Sequence, residues 1–510
     1  MRPALFRPWV DQQERRAFHH WRRVGRDSVV GGRVDTFLYR HLGLQATLGA
    51  SGLNRLSPLL GARGPDEIAA WLRLIALGSR DVGGSTIVFF PEGAYGPTNN
   101  CVGIGQVLRE RGHRVVFVIE ESFAGGLEAL GFEERHVRLG PPPELALEGE
   151  EAPGQFWKDF IRETAPVFRK PTIEQLAEFI APTFEALCEG ARYVDDRLRE
   201  IFDELRPDAI VEDNVVAFPA IAASGRPWAR IVSCNPLEIG DPALPPVFSG
   251  YSSTYTTSWD DFRDEYLRST AELHAAFSDF CVERGAPPLA PGAFMHESDR
   301  LNLYLYPAEL DYVRRTPLAP SWHRIDSCVR DVAETFTRPP ELGDDGALIY
   351  LSLGSLGSAD VELMMRLVDV LSQSPHRFVV SKGPQHEEFE LADNMWGAEL
   401  VPQPAILPHV DLVVTHAGNN TTTEALHFGK PMVALPLFWD QYDNAQRIAE
   451  AGVGIRLATH RFADGELLAA IERLLGDTAV RERTAAIARR LQADPGRLRA
   501  ADLVERLAVS

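Results

Sequence analysis

Residues 411–447 read DLVVTHAGNNTTTEALHFGKPMVALPLFWDQYDNAQR, and the order of events along them decides the fold. Leu412–Thr415 is a short apolar run suited to a buried strand, and the chain then turns through His416-Ala417-Gly418-Asn419-Asn420. A helix is predicted from about Thr421 to Phe428, followed by a second strand over Met432–Leu435. A strand feeding a helix through a small polar turn leaves unpaired N–H groups, and the positive end of the helix dipole, at the strand's carboxyl end. That is a place for an anion. Gly418 would let the backbone approach a diphosphate, with the Thr421 hydroxyl and a His416 nitrogen as further donors. Glu424 lies about one helical turn beyond Thr421, where a carboxylate can accept from paired ribose hydroxyls. Asp440 and Gln441 follow the next strand and supply acceptors and donors suited to sugar hydroxyls.

Working outward, the same alternation recurs on the N-terminal side. Leu348–Leu351 reads as a strand, Gly354-Ser355-Leu356-Gly357 as a turn, Val361–Ser372 as a helix and Arg377–Val380 as a strand. Further back, Thr86–Phe90 and Val115–Ile119 read as strands around a Gly-rich turn (Pro91–Pro97) and a helix over Asn99–Arg111. Long helices are predicted at Thr172–Glu204 and Trp259–Arg284, with strands at Ala209–Glu212 and Ala229–Val232. Such βαβ series mean parallel sheets with helices on both faces. The polar, Pro- and Gly-bearing run between Val329 and Gly346 is the best linker. The expected organisation is an N-terminal extension (1–84), a first Rossmann-like domain (85–330), a linker (331–346) and a second doubly wound domain (347–510), facing each other across a cleft. The extension is partly helical near Pro65–Leu77, and the acidic stretch at 141–153 is an insertion placed to line a pocket.

The bulk composition excludes several classes. With 510 residues, one core is too few and two domains are the default. A net charge of −20 argues against a nucleic-acid partner. No apolar run approaches the roughly 18 residues of a membrane span. Five scattered cysteines without a CxxC pair suggest neither a disulfide framework nor a zinc site, which fits a reducing cytoplasm. The arginine-rich start (Arg2, Arg7, Arg15, Arg16) lacks the apolar segment of a signal peptide. No metal and no cofactor are implied, since no DxD-type carboxylate cluster accompanies the anion site.

The 411–447 segment resembles the donor-binding signature of the UDP-glycosyltransferase superfamily, which is inverting and has the GT-B fold. The matching residues are Pro402-Gln403, His416, Gly418, Asn420, Thr421, Glu424 and Asp440-Gln441. The resemblance implies that His416, Asn420 and Thr421 contact the diphosphate, Glu424 the ribose, Gln403 the base region, and Asp440 with Gln441 the transferred sugar. Val401 stands where plant members carry a base-stacking Trp, and Thr421 replaces the common Ser. The run LIYLSLGSLG (348–357) is similar to the family's first donor-domain strand and puts Ser355 near the phosphates. IVFFPEGAYGPTNNCVGIGQVLRERGHRVVFV (87–118) is similar to the family's opening strand, turn and helix, and there the family's catalytic His falls on Pro97. Its orienting Asp is matched by Asp213. Three consequences stand open: Asp213 acts as general base directly or through water, the acceptor is acidic enough to need little help, or the chain binds donor without turnover. The implied function is transfer of a hexose from a UDP-sugar or other nucleotide sugar to a hydroxyl of a small hydrophobic acceptor. A silent donor-binding partner and a UDP-sugar epimerase of the same fold are the alternatives.

Plainer readings stand beside these. Asp213 would also serve as N-cap of a helix near Val215. Trp439 and Tyr442 could stack on a sugar or fill core. His113 and His376 are read as surface or structural residues, and the GIGQ stretch at Gly103–Gln106 as helix interior without dinucleotide-binding spacing.

Overall fold

The computed structural model describes residues 84–141 and 163–510; the N-terminal extension and most of the acidic insertion fall outside them. The first half opens with β1 (Thr86–Pro91), α1 (Tyr95–Glu110), β2 (Arg114–Glu120) and β3 (Glu133–Val137). It continues through α2 (Ala181–Leu205), β4 (Ala209–Asp213), β5 (Trp228–Val232), α3 (Trp259–Glu283), β6 (Leu301–Tyr304) and β7 (Trp322–Arg324). All seven strands are parallel, in the order β3-β2-β1-β4-β5-β6-β7. The central strands are near-continuous apolar runs because helices cover both faces. Ile87 and Phe89 face one helical layer, Val88 and Phe90 the other, and all four are buried. Each such side chain contributes about 1.5–3 kcal/mol relative to exposure.

The second half repeats the plan with β8 (Leu348–Ser352), α4 (Val361–Ser372), β9 (Arg377–Ser381), β10 (Met395–Ala398), β11 (Leu412–Thr415), α5 (Asn419–His427), β12 (Met432–Ala434), α6 (Gln441–Glu450) and β13 (Gly454–Arg456). Three helices close it: α7 (Asp464–Gly476), α8 (Thr478–Ala493) and α9 (Gly496–Ala508). Its six parallel strands run β10-β9-β8-β11-β12-β13. In both sheets the strand order reverses once, between β1 and β4 and between β8 and β11. Ligands of open α/β sheets bind outside the carboxyl ends of the strands at such a reversal. The registers there place Pro91 beside Asp213 and Ser352 beside Thr415.

The last helix does not stay with the second sheet. Ala500, Ala501, Val504 and Leu507 of α9 join the cluster containing Ile87 and Ile104, and Arg111 pairs with Asp502 and Glu505 at 2.8 Å each. Gly496 permits the crossing: a Cβ there would lie 1.8 Å from the Ile325 carbonyl oxygen. The two halves also share an apolar seam, in which the ring centroids of Phe168 and Phe438 are 4.9 Å apart and those of Phe248 and Trp439 4.6 Å.

Two expected element boundaries move. α1 starts at Tyr95, so Pro97 lies in its first turn, where the missing N–H costs little, and not in the preceding loop. α5 starts at Asn419 with Gly418 at its cap position, two residues before the predicted start.

Candidate active site

A cavity of about 470 Å³ opens between the halves, at the carboxyl ends of the strands where both sheets reverse. Its second-half wall is made by the loops after β8 and β11. His416 directly follows β11, Ala417 takes a left-handed conformation (φ 68°), and α5 follows. A non-glycine residue held at positive φ is strained, and such strain gathers at ligand sites. The Asn419 N–H donates to Asp440 Oδ2 at 3.2 Å and the Thr422 N–H to the Gly418 carbonyl at 3.0 Å. Between them, the N–H groups of Asn420 and Thr421 have no acceptor among the described residues. Both residues line the cavity. Two free donors at a helix start suit an anion.

His416 is wedged between two glycines. A Cβ on Gly418 would come within 2.4 Å of its Nε2, and one on Gly354 within 2.7 Å. Burial pushes its imidazole down to about 4, with a hydrogen bond to the Ser352 backbone pulling weakly the other way. The ring is therefore neutral at pH 7 and offers a hydrogen bond without charge. Ser355, beside Gly354, lines the same wall.

Glu424 is 2 % exposed and does not line the cavity. Its carboxylate accepts from Arg330 Nη1 at 2.9 Å, Gln403 Nε2 at 2.6 Å and Asn420 Nδ2 at 3.3 Å. All three of these donors line the cavity, and Thr421 Oγ1 donates to Gln403 Oε1 at 3.3 Å. A ribose hydroxyl reaching Glu424 would have to replace one of these partners. Arg330 was not singled out from the sequence; it sits 94 positions from Glu424, at the start of the linker, with no local motif around it.

Asp440 and Gln441 share the lip of the cavity. Asp440 Oδ2 accepts from the Asn419 N–H and, at 2.7 Å, from Asn444 Nδ2, while burial holds its carboxyl well above the ordinary range. Gln441 Oε1 accepts from the N–H groups of Leu437 and Phe438 at 3.0 and 3.3 Å. Its amide nitrogen has no partner among the described residues. Trp439 both lines the cavity and packs on Phe184 and Phe248. Tyr442 is structural, because its hydroxyl accepts from Gln175 Nε2 at 3.2 Å and donates to the Phe168 carbonyl at 3.3 Å.

The first-half wall is formed by the loop after β1 and the start of α1, including Glu92, Tyr95, Pro97 and Asn100, with Ser233 and Cys234 after β5. A Cβ on Gly96 would sit 3.8 Å from that of Asn420, so the two helix starts face each other closely. Phe123, Phe179 and Leu187 add an apolar side. Phe179 belongs to a π-helical turn (Leu176–Ile180) preceding α2, a bulge type frequent at functional sites. Asp213 stands at the end of β4 but is 3 % exposed and is not among the cavity-lining residues. Burial raises its carboxyl well above the usual range, a Ser233 hydrogen bond opposes this, and its Oδ2 has no partner. It caps no helix either: residues 214–218 are irregular, and the turn at Pro219–Ala222 is held by Asp195 Oδ1, 2.7 Å from the Ala220 N–H. His113 and His376 are structural, bonded to Glu505 and Glu472 at 2.9 Å.

Comparison with known proteins agrees with this geometry. Residues 332–495 match the family model described as UDP-glucoronosyl and UDP-glucosyl transferase. The oleandomycin glycosyltransferase of Streptomyces antibioticus is 27 % identical over 427 residues, covering 82 % of this chain and 90 % of that protein. The demethyllactenocin mycarosyltransferase of Streptomyces fradiae is 24 % identical, covering 82 % and 86 %. Among solved structures, the kitacinnamycin glycosyltransferase superposes with a TM-score of 0.58 at 22 % identity, covering 83 % of this chain and 99 % of its own. Two parallel doubly wound sheets meeting at one cavity, matched along nearly the whole length of such structures, constitute the GT-B fold. Residues 332–495 thus carry a UDP-glycosyltransferase domain, and the chain as a whole is similar to glycosyltransferases of the family 1, natural-product type.

Proposed function

We propose that the enzyme moves a hexose, with inversion, from a nucleoside-diphosphate sugar, UDP-linked in the first instance, to a hydroxyl of a small hydrophobic acceptor. The observation that carries this reading is that one cavity joins a helix start with two free N–H groups to an apolar, aromatic wall on the other half. The diphosphate lies against Asn420, Thr421 and the neutral His416, with Gly418 and Ser355 admitting it. Departing negative charge is then met by preorganised donors in a water-poor site. Gln403 and Arg330 hold the nucleoside with Glu424 behind them, and Asp440 with Gln441 fix the sugar hydroxyls. The acceptor enters along Phe123, Phe179 and Leu187. Relatives named for oleandomycin, zeaxanthin and sterols support a bulky apolar aglycone. We divide the chain into an acceptor half at 85–330 and a donor half at 347–510, and take the reaction to be cytoplasmic. Among the described residues no helix is long and apolar enough to cross a membrane.

The test is incubation with UDP-glucose and a panel of phenols, macrolides and sterols, followed by mass spectrometry for a gain of one hexose. No gain with any acceptor, together with no thermal stabilisation by UDP, would refute the reading.

A further inference from the structure

The transferase reading leaves the acceptor proton without a destination, since Pro97 has no base and Asp213 lies behind the cavity wall. We propose that Glu92 is the general base, an assignment that rests on that reading. Glu92 directly follows β1, at the point where the first sheet reverses its strand order. Its backbone is fixed: the N–H donates to the Asp213 carbonyl at 2.8 Å, and its own carbonyl accepts from the Ala94 N–H at 2.7 Å. Its side chain is half-buried and lines the cavity. No protein group hydrogen-bonds its carboxylate among the described residues, whereas Asp440 across the cavity is engaged by two donors. A carboxylate held at the floor of a cavity without a partner is free to take a proton from a ligand. The close approach of Gly96 to Asn420 brings the loop bearing Glu92 up to the donor wall.

Several ionisable groups surround it. Glu238 and Asp213 interact with it electrostatically from the segments after β5 and at the end of β4, and Cys234 lies within the same field. Asp440 and Arg330 line the same cavity, and Glu120 packs against the neighbouring Gly93. Burial first, and the charge of Glu238 second, lift the Glu92 carboxyl to about 7, where a base is both deprotonated in useful amount and strong enough to act. In the step, the acceptor hydroxyl gives its proton to a Glu92 oxygen as its own oxygen bonds to the anomeric carbon from the face opposite the diphosphate. The bond from that carbon to the phosphate oxygen breaks, and its electron pair stays on the nucleoside diphosphate. Protonated Glu92 then returns its proton to water.

The assignment is tested with UDP-glucose and two acceptors, a macrolide bearing an aliphatic hydroxyl and a nitrophenol that is already ionised near neutral pH. With the macrolide, kcat/KM of the unaltered enzyme should rise with pH and level off above about 7. Glu92→Gln should lose about 10²- to 10⁴-fold and the acid limb, while keeping the thermal shift given by UDP. With the nitrophenol the same variant should lose far less, and Glu92→Asp should recover part of the macrolide activity. Equal rates for Glu92→Gln and the unaltered enzyme, or equal losses on both acceptors, would overturn the assignment. Absence of transfer by the unaltered enzyme would instead overturn the transferase reading beneath it.

Discussion

Replacing Gly354 by alanine should weaken nucleotide binding far more than it weakens the fold. Gly354 has φ 72°, and its missing Cβ would lie 2.7 Å from His416 Nε2 and 2.8 Å from Cε1. Ordinary contact needs about 3.4 Å or more, so the ring must withdraw by well over half an ångström. Gly418 closes the other side, since a Cβ there would lie 2.4 Å from the same Nε2. Two separate costs follow. The left-handed backbone costs an alanine roughly 1–2 kcal/mol, which lowers the melting temperature by several degrees for a domain of this size. Displacing the imidazole removes a hydrogen bond to a charged phosphate, about 1.5–3 kcal/mol, or roughly 10- to 150-fold in UDP affinity. Gly112→Ala separates them, because Gly112 has φ 92° and nothing within 4 Å of its Cβ position. The control should lose stability alone. Isothermal titration with UDP and a thermal melt of each variant measure both terms. Unchanged UDP affinity in Gly354→Ala, with a stability loss equal to that of Gly112→Ala, would refute the role given to His416.

Three further outcomes are expected. Asp213→Asn should keep the UDP thermal shift and lose less than about tenfold in turnover, because burial already favours the uncharged carboxyl; a loss as deep as that of Glu92→Gln would return the base to Asp213. Gln441→Glu keeps an acceptor for the Leu437 and Phe438 N–H groups but removes the free amide donor, so kcat should fall while UDP affinity holds, and unchanged kcat in steady-state assays would exclude a sugar contact. Asp443 accepts from the N–H groups of Phe248 and Gly250 at 2.7 Å each, and Asp443→Ala should cost about 2–5 kcal/mol in urea unfolding by leaving both donors buried and unpaired.

The part of the second-half wall after β11 was legible because its elements are contiguous: strand, turn, helix and the following loop all lie within residues 411–447. The central strands were legible for a similar reason, since burial on both faces writes them as apolar runs. Strands β3, β6, β7, β10 and β13 escaped, having the sequences EERHV, LNLY, WHR, MWGA and GIR, because they are short and interrupted by polar or small residues. The first-half wall was legible only as a likeness to other sequences, which pointed to Pro97 and Asp213. What decides whether Asp213 meets a ligand is depth behind the sheet edge, and residue spacing carries no information about depth. Arg330 shows the same limit, since its pairing with Glu424 exists only after both sheets have formed.

The Asp440-Gln441 pair is not independent of the first half, because α6 carries the pair and bonds to that half. Its first residues are Asp440 at the cap and Gln441, and the rest of the helix is bonded across the seam. Asn444 Oδ1 accepts from Asn235 Nδ2 at 2.7 Å and from the Tyr306 hydroxyl at 3.0 Å, and Arg447 donates to the Leu310 carbonyl at 2.7 Å. Asn419, which opens α5, donates to the Ser233 and Leu305 carbonyls at 2.6 and 2.8 Å. Buried hydrogen bonds of this kind contribute little net free energy when water can replace the partner, but they fix geometry when it cannot. The polar part of the seam therefore fixes one register, while the Phe168–Phe438 and Phe248–Trp439 contacts add apolar burial. Since Asp440 is shared by Asn419 and Asn444, that register also sets where Asp440 stands relative to Glu92 on the opposite wall. On the proposed reading, proton acceptor and donor sugar are thus aligned by the same interface.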